Sequence, residues 1–312
     1  MAEASPSPDR DAWRREMMRI GDAGGFYREL GAEHSALHLR GGDTLVVTFE
    51  NLDHVLDHAA DRLPWGFGFV RAQGWSILGL MAHGWTWYRD AAVLDFFDRL
   101  RDDGFFDDFR RVVFYGASMG GYAAAAFSAA CPGATVIAIS PQATLDRETT
   151  PWETRYSRAW GRDFRGRYGF APDGLRAAGR VHLLYDPMAP LDRAHAALFD
   201  RPGVTLLRCP MMGHRIASAM QGMGILKPVI EAAIDGRLDP GEFHALLRKR
   251  RDLPRYYKEM LALLERRNDP WLTYVFCRHY LSRWRGPRFR AAMNAARATL
   301  EAEGRRLPGP AA

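Results

Sequence analysis

The sequence predicts an α/β protein: a mostly parallel, doubly wound sheet followed by an α-helical appendage. Two observations carry this. Strand-like apolar runs recur with helical stretches between them, and several of those runs are near-continuously apolar, as strands covered on both faces are. The strands then stop near residue 236, and only amphipathic helical patterns follow.

Taken in order, residues 1–43 read as a helical lead-in with a glycine-rich break, GDAGG. Its start, MAEASPSPDRDAWRREMM, is polar and proline-punctuated and lacks the apolar core of a signal peptide. The strand-like runs are TLVVTF (44–49), GFGFV (66–70), WSILGLMA (75–82), RVVFYG (111–116), ATVIAIS (134–140), VHLLY (181–185) and VTLLRC (204–209). Helical patterns fill 89–103, 119–131, 192–200 and 216–235. Beyond residue 236 four amphipathic helices are expected, each opened by a proline in DP, LP, DP or GP, where proline favours the first helical turn. The expected organisation is a lead-in over 1–43, a catalytic-size α/β domain over 44–235 and a basic helical region over 236–312.

Composition narrows the class. With 312 residues the chain can bury a large core, and its 47% apolar and 26% charged content is ordinary for a globular protein. No apolar run approaches the roughly 20 residues of a membrane span. Cys131, Cys209 and Cys277 are scattered, odd in number and without a Cys-x-x-Cys, as expected of reduced thiols in the cytoplasm. The formal net charge of +6 is segregated: from Gly236 onward 17 Lys and Arg face 8 Asp and Glu, so the first 235 residues are slightly acidic. That basic region is where an anionic substrate or a protein partner is expected; nucleic acid is the less favoured reading of RKRR (248–251).

The chemistry is concentrated in VVFYGASMGGY (112–122), a strand running into a helix former through Gly-Ala-Ser-Met-Gly. G-x-S-x-G in that setting is a nucleophile elbow. Small residues two before and two after Ser118 let the turn close, and the serine is forced into a strained conformation that projects its hydroxyl. The next N–H, of Met119, opens the helix, where an orphan amide and the helix dipole stabilise an oxyanion. A tight turn with an incidental serine is the bland alternative.

A serine hydroxyl needs a base. His214 stands in MMGHR, the exit loop of the last strand, whereas His182 falls inside a strand and His195 and His244 fall in helical patterns. An acid must orient that histidine. VHLLYDPMAPLD offers Asp186 at a strand end and Asp192 six residues on. Asp186 is the better placed, and Asp192 fits the N-cap of the helix DRAHAALF.

From about residue 44 to 235 the chain resembles the α/β-hydrolase superfamily, on the elbow GASMGGY, the acid stretch DPMAP and the GH of the histidine loop. The resemblance implies an eight-stranded type of sheet, a Ser118–His214–Asp186 triad in the usual chain order, and an esterase, lipase, thioesterase, peptidase or acyltransferase activity with no cofactor. It also implies a second oxyanion donor after the third strand. Here that place reads VVTFENLDH, so the donor expected is a backbone N–H near Phe49 or Glu50.

Around this centre, HGWTWYRD (83–90) follows a strand end and is expected at the active-site rim. Trp85, with Trp87 and Tyr88, would wall an acyl or sugar pocket; Arg89 would hold a carboxylate or phosphate, and Gln142 would reach substrate from the next strand exit. His54 and His58 have helical i, i+4 spacing, but no metal pattern accompanies them and no metal is expected. The reading is a serine hydrolase acting on a small ester or thioester. The alternatives are an acyltransferase using the same triad and a catalytically silent binding protein on the same fold.

Overall fold

The computed structural model describes residues 10–51 and 66–307. Eight strands form one sheet: β1 (Gly25–Leu30), β2 (His34–Leu39), β3 (Thr44–Asn51), β4 (Ser76–Ala82), β5 (Arg111–Ala117), β6 (Thr135–Ile139), β7 (Arg180–Tyr185) and β8 (Val204–Arg208). Their spatial order is β1-β2-β4-β3-β5-β6-β7-β8. β2 runs antiparallel to both neighbours, and every pairing from β4 to β8 is parallel.

Alternation along the central strands divides the core into two layers. Leu45, Val47 and Phe49 of β3, with Val112 and Phe114 of β5, enter one apolar cluster. Val46, Val113 and Tyr115 enter the other, on the opposite face. Successive side chains point to opposite faces, so a strand buried on both sides must be apolar throughout. α3 (Ala91–Asp102) and α4 (Met119–Phe127) cover the first face. The second is covered by α1 (Arg10–Gly24), α2 (Phe67–Ala72), α7 (Ile216–Gly222) and α8 (Leu226–Ile234).

Two sequence expectations are corrected here. GFGFV is not a strand but the start of α2: Gly66 sits at φ 82 before it, and Phe67 and Val70 bury one face at i, i+3 spacing. The lead-in is helical only through α1, after which β1 and β2 add an antiparallel edge to the sheet. β2 is wholly buried although it reads HSALHL, because its histidines find partners or apolar walls: His38 Nδ1 lies 2.9 Å from the Ile77 carbonyl.

The connection from β6 to β7 spans residues 140–179 and holds only short helical turns, including α5 (Ala171–Gly174). It is pinned across the sheet's C-terminal end. Arg89 donates to the carbonyls of Asp163 and Arg167 at 2.6 Å each, and Arg162 grips both oxygens of Glu33 at 2.8 Å. α6 (Pro190–Leu198) joins β7 to β8.

The four C-terminal helices are α9 (Pro240–Leu247), α10 (Pro254–Arg267), α11 (Pro270–Leu281) and α12 (Pro287–Ala302), each with proline in its first turn. Asp239 and Asp269 cap two of them, accepting from Glu242 N and Leu272 N at 2.9 Å. The packing does not change at residue 236. Phe243 and Leu247 of α9 belong to the second layer of the main core, while Tyr257, Leu261, Cys277, Tyr280 and Phe289 of α10–α12 form a cluster of their own.

α9 is therefore part of the sheet's own core. Phe243→Ala is expected to lower the unfolding free energy of the whole α/β unit by about 3–5 kcal/mol, whereas truncating the exposed Leu272 should cost within about 0.5 kcal/mol. Urea unfolding followed by tryptophan fluorescence checks both. Equal small losses would make α9 a separate appendage.

Candidate active site

β5 ends against the elbow under severe crowding. A Cβ on Gly116 would lie 2.1 Å from the Gly120 carbonyl oxygen, and one on Gly120 would lie 2.5 Å from the Phe49 carbonyl oxygen. Only glycine lets strand and helix cross this closely. Between them Ser118 adopts φ 54, ψ −118, a region L-residues rarely occupy. The strain is of order 1–3 kcal/mol and is held by the surrounding structure, including Ser118 N–H donating to Ile139 O at 2.8 Å. The Ser118 side chain makes no cap bond to α4, so its hydroxyl is left to other partners.

That partner is His214. Its Nε2 lies 2.8 Å from Ser118 Oγ, across 96 residues of sequence. Its Nδ1 lies 2.9 and 3.1 Å from the two oxygens of Asp192. A carboxylate can only accept, so Nδ1 carries the proton and Nε2 presents its lone pair to the serine.

The acid beside His214 is thus Asp192, and the expectation for Asp186 is corrected. Asp186 accepts from Met188 N at 2.8 Å and from Gly213 N at 2.6 Å. With both oxygens held by backbone, it fixes the loop one residue before His214, where Gly213 turns at φ 61. Nor does Asp192 cap its helix. Pro190 is the first helical residue, which puts Asp192 in the first turn with its side chain turned away toward the site.

Asp192 is buried, and it has a second partner in Arg155, whose Nη1 donates to Oδ1 at 2.6 Å. Arg155 also grips Glu153, which in turn lies 3.0 Å from His195 Nε2. Ala143 N–H donates to His195 Nδ1 at 3.1 Å, which leaves Nε2–H as the donor to Glu153. Burial alone would raise both carboxyls, but these hydrogen bonds outweigh it: Asp192 is held below its ordinary value and Glu153 falls to about 2.

Tyr156 completes the centre. Its hydroxyl lies 3.1 Å from His214 Nε2, the nitrogen that also meets Ser118 Oγ. Its ring meets Trp85 and Trp87 at centroid distances of 6.1 and 4.8 Å. Glu153, Arg155 and Tyr156 all come from the β6–β7 connection, where no hydrophobic period marked them.

The remaining predicted residues divide. Met119 is the first residue of α4, with an N–H that has no intrahelical acceptor. Phe49 lies within β3, in register with both Leu80 and Gly116, its ring stacked in the core; what it turns to the elbow is a carbonyl, an acceptor. Trp85 is 46% exposed, its ring beside that of Tyr156. Arg89 is buried and committed to the carbonyls of the β6–β7 connection. Gln142 is also buried: its Oε1 accepts from Trp87 Nε1 at 3.0 Å, so it positions an aromatic wall and does not face solvent. Trp87 and Tyr88 are fully buried and both left-handed, at φ 49 and 56. His54 and His58 lie outside the described residues.

The basic region reaches this loop through α10: a Cβ on Gly213 would lie 2.5 Å from the Arg255 guanidinium and 3.5 Å from the Glu259 carboxylate.

The strand order, the elbow and the serine–histidine–carboxylate chain define an α/β-hydrolase fold. Among solved structures, the chain is similar to a capsule O-acetyltransferase of Neisseria meningitidis serogroup A, with 14% identity, TM-score 0.43 and coverage of 66% of this chain and 93% of the other. It is also similar to the Pyrococcus furiosus esterase Pf2001 (15%, 0.44, covering 67% and 91%) and to a Pyrobaculum calidifontis esterase (14%, 0.45, covering 76% and 96%). No family model and no curated protein matches the sequence. Among the described residues no helix is long and apolar enough to cross a membrane.

The buried carboxylates should show in acid. Glu153 has a depressed pKa, so its contribution to stability is complete above the ordinary value of 4.5 and is lost as pH falls toward about 2. Glu153→Gln is expected to be less stable than wild type near neutrality, with a flatter stability curve through that window. Denaturation at a series of acid pH values measures it; parallel curves would contradict the assignment.

Proposed function

We propose that the protein is a serine hydrolase that cleaves a carboxylic ester or thioester through an acyl-enzyme. The observation that carries the reading is the hydrogen-bond chain from Ser118 Oγ through His214 to Asp192.

In this mechanism His214 Nε2 takes the proton of Ser118 as Oγ attacks the substrate carbonyl carbon. The carbonyl π electrons move to oxygen, where the Met119 N–H and the positive end of α4 stabilise the charge. Asp192 holds His214 in the tautomer that accepts at Nε2 and stabilises the imidazolium that forms. The carbon–oxygen or carbon–sulfur bond to the leaving group then breaks, and the leaving atom takes the proton from Nε2. Water attacks the acyl-enzyme by the same route, returning the proton to Ser118. Trp85 stands exposed beside the approach, with the buried Trp87 packed against it.

Ser118→Ala is expected to abolish turnover of short p-nitrophenyl esters without altering the fold. Asp192→Asn should lose on the order of 10⁴ in kcat, because it removes the acceptor that selects the tautomer. Asp186→Asn should lose much less, since it touches the loop and not the imidazole. Steady-state kinetics on the three purified variants decide it. Retained activity in Ser118→Ala would end the proposal, and a reversed order for the two aspartates would return the acid to Asp186.

A further inference from the structure

Resting on that reading, we infer that Tyr156 is a catalytic residue: its hydroxyl donates a hydrogen bond to the leaving-group oxygen as the substrate bond breaks. The phenol oxygen is 3.1 Å from His214 Nε2, the same nitrogen that lies 2.8 Å from Ser118 Oγ. Any leaving oxygen that is to receive the proton on Nε2 must itself lie within hydrogen-bond reach of that nitrogen. A substrate bound to Ser118 therefore brings its leaving oxygen beside the Tyr156 hydroxyl. The carbonyl oxygen, by contrast, is assigned to the Met119 N–H at the opening of α4.

The residue suits this task. Burial pushes the Tyr156 phenol up from its ordinary value, so it stays protonated and serves as a donor at neutral pH. Its ring packs against Trp85 and Trp87, which also meet each other, and the Arg155 guanidinium lies 5.1 Å from its centroid. Arg155 is fixed in turn by Glu153 and Asp192, so the group that positions the acid also positions the phenol. The hydroxyl is thus placed by packing and not by the bond it makes, which is what a preorganised donor requires.

The step balances without a further reagent. The bond from the carbonyl carbon to the leaving oxygen breaks, its electron pair stays on that oxygen, and the proton taken earlier from Ser118 passes to it from Nε2. Tyr156 keeps its own proton throughout. Its bond strengthens as negative charge grows on the leaving oxygen, so it acts on the transition state and not on binding.

The test is Tyr156→Phe, which keeps the ring and removes the donor, assayed by kcat/KM on two esters of one acid. An ethyl ester leaves as an alkoxide that needs help; a p-nitrophenyl ester leaves as a stable anion. The variant is expected to lose about 10² more on the ethyl ester than on the p-nitrophenyl ester. It should still label at Ser118 with a fluorophosphonate, whose fluoride leaves unprotonated. Equal losses on both esters, no loss on either, or a variant that fails to label would each overturn the role of Tyr156. A wild-type protein that does not label at Ser118 would instead overturn the hydrolase reading, and this inference with it.

Discussion

A buried carboxylate governs the architecture of this site. Asp192 is withdrawn from water, and a lone charge there would cost several kcal/mol or be lost by protonation. It keeps its charge because two donors reach it, His214 Nδ1 and Arg155 Nη1. Arg155 brings a second buried carboxylate, Glu153, and that one is completed by His195. The result is a connected polar chain in which each member satisfies the next. Networks of this kind fix one arrangement of their surroundings, because a half-made version is costlier than an apolar core. Here that arrangement includes the helix α6, the β6–β7 connection and the loop bearing His214.

The elbow supplies the complementary constraint. Close approach of Gly116, Gly120 and the Phe49 carbonyl forces the strand–helix turn, and Ser118 carries the strain. Trp87 and Tyr88 repeat the device on the neighbouring loop, where two consecutive left-handed residues are fixed by bonds from Trp87 to Gln142 and from Tyr88 to the Glu50 carbonyl. Strained backbone persists only where the surroundings determine it. Tyr156 joins the two, its hydroxyl 3.1 Å from His214 Nε2 and its ring against Trp85 and Trp87.

Much of this was legible in the sequence where local signals and tertiary demands coincide. The apolar central strands, the Gly-x-Ser-x-Gly junction and a histidine after the last strand each carry their own mark, and Pro240, Pro254, Pro270 and Pro287 announce their helices. The acid is hidden for a specific reason. Taking the helix to begin at Asp192 made that residue a cap, although Pro190 marks the true first turn and frees its carboxylate. β1 and β2 carry no clear sequence mark because GFYREL and HSALHL are polar for strands, and the burial of β2 depends on partners elsewhere. Glu153, Arg155 and Tyr156 lie in a connection without period; only folding brings them to the site. Arg89 and Gln142 looked like ligands for substrate because they are polar residues at strand exits, yet both spend their hydrogen bonds on the protein itself.

The central claim is that Asp192, and not Asp186, holds the proton on His214 Nδ1. Proton NMR of the resting protein tests it most directly, through the downfield resonance of the His214 Nδ1–H, told apart from that of the His195 Nε2–H on Glu153 by its loss in His214→Ala. That resonance is predicted to be present in the wild type, to persist in Asp186→Asn and to be lost or shifted strongly upfield in Asp192→Asn. A signal that survives Asp192→Asn unchanged and disappears in Asp186→Asn would contradict the account.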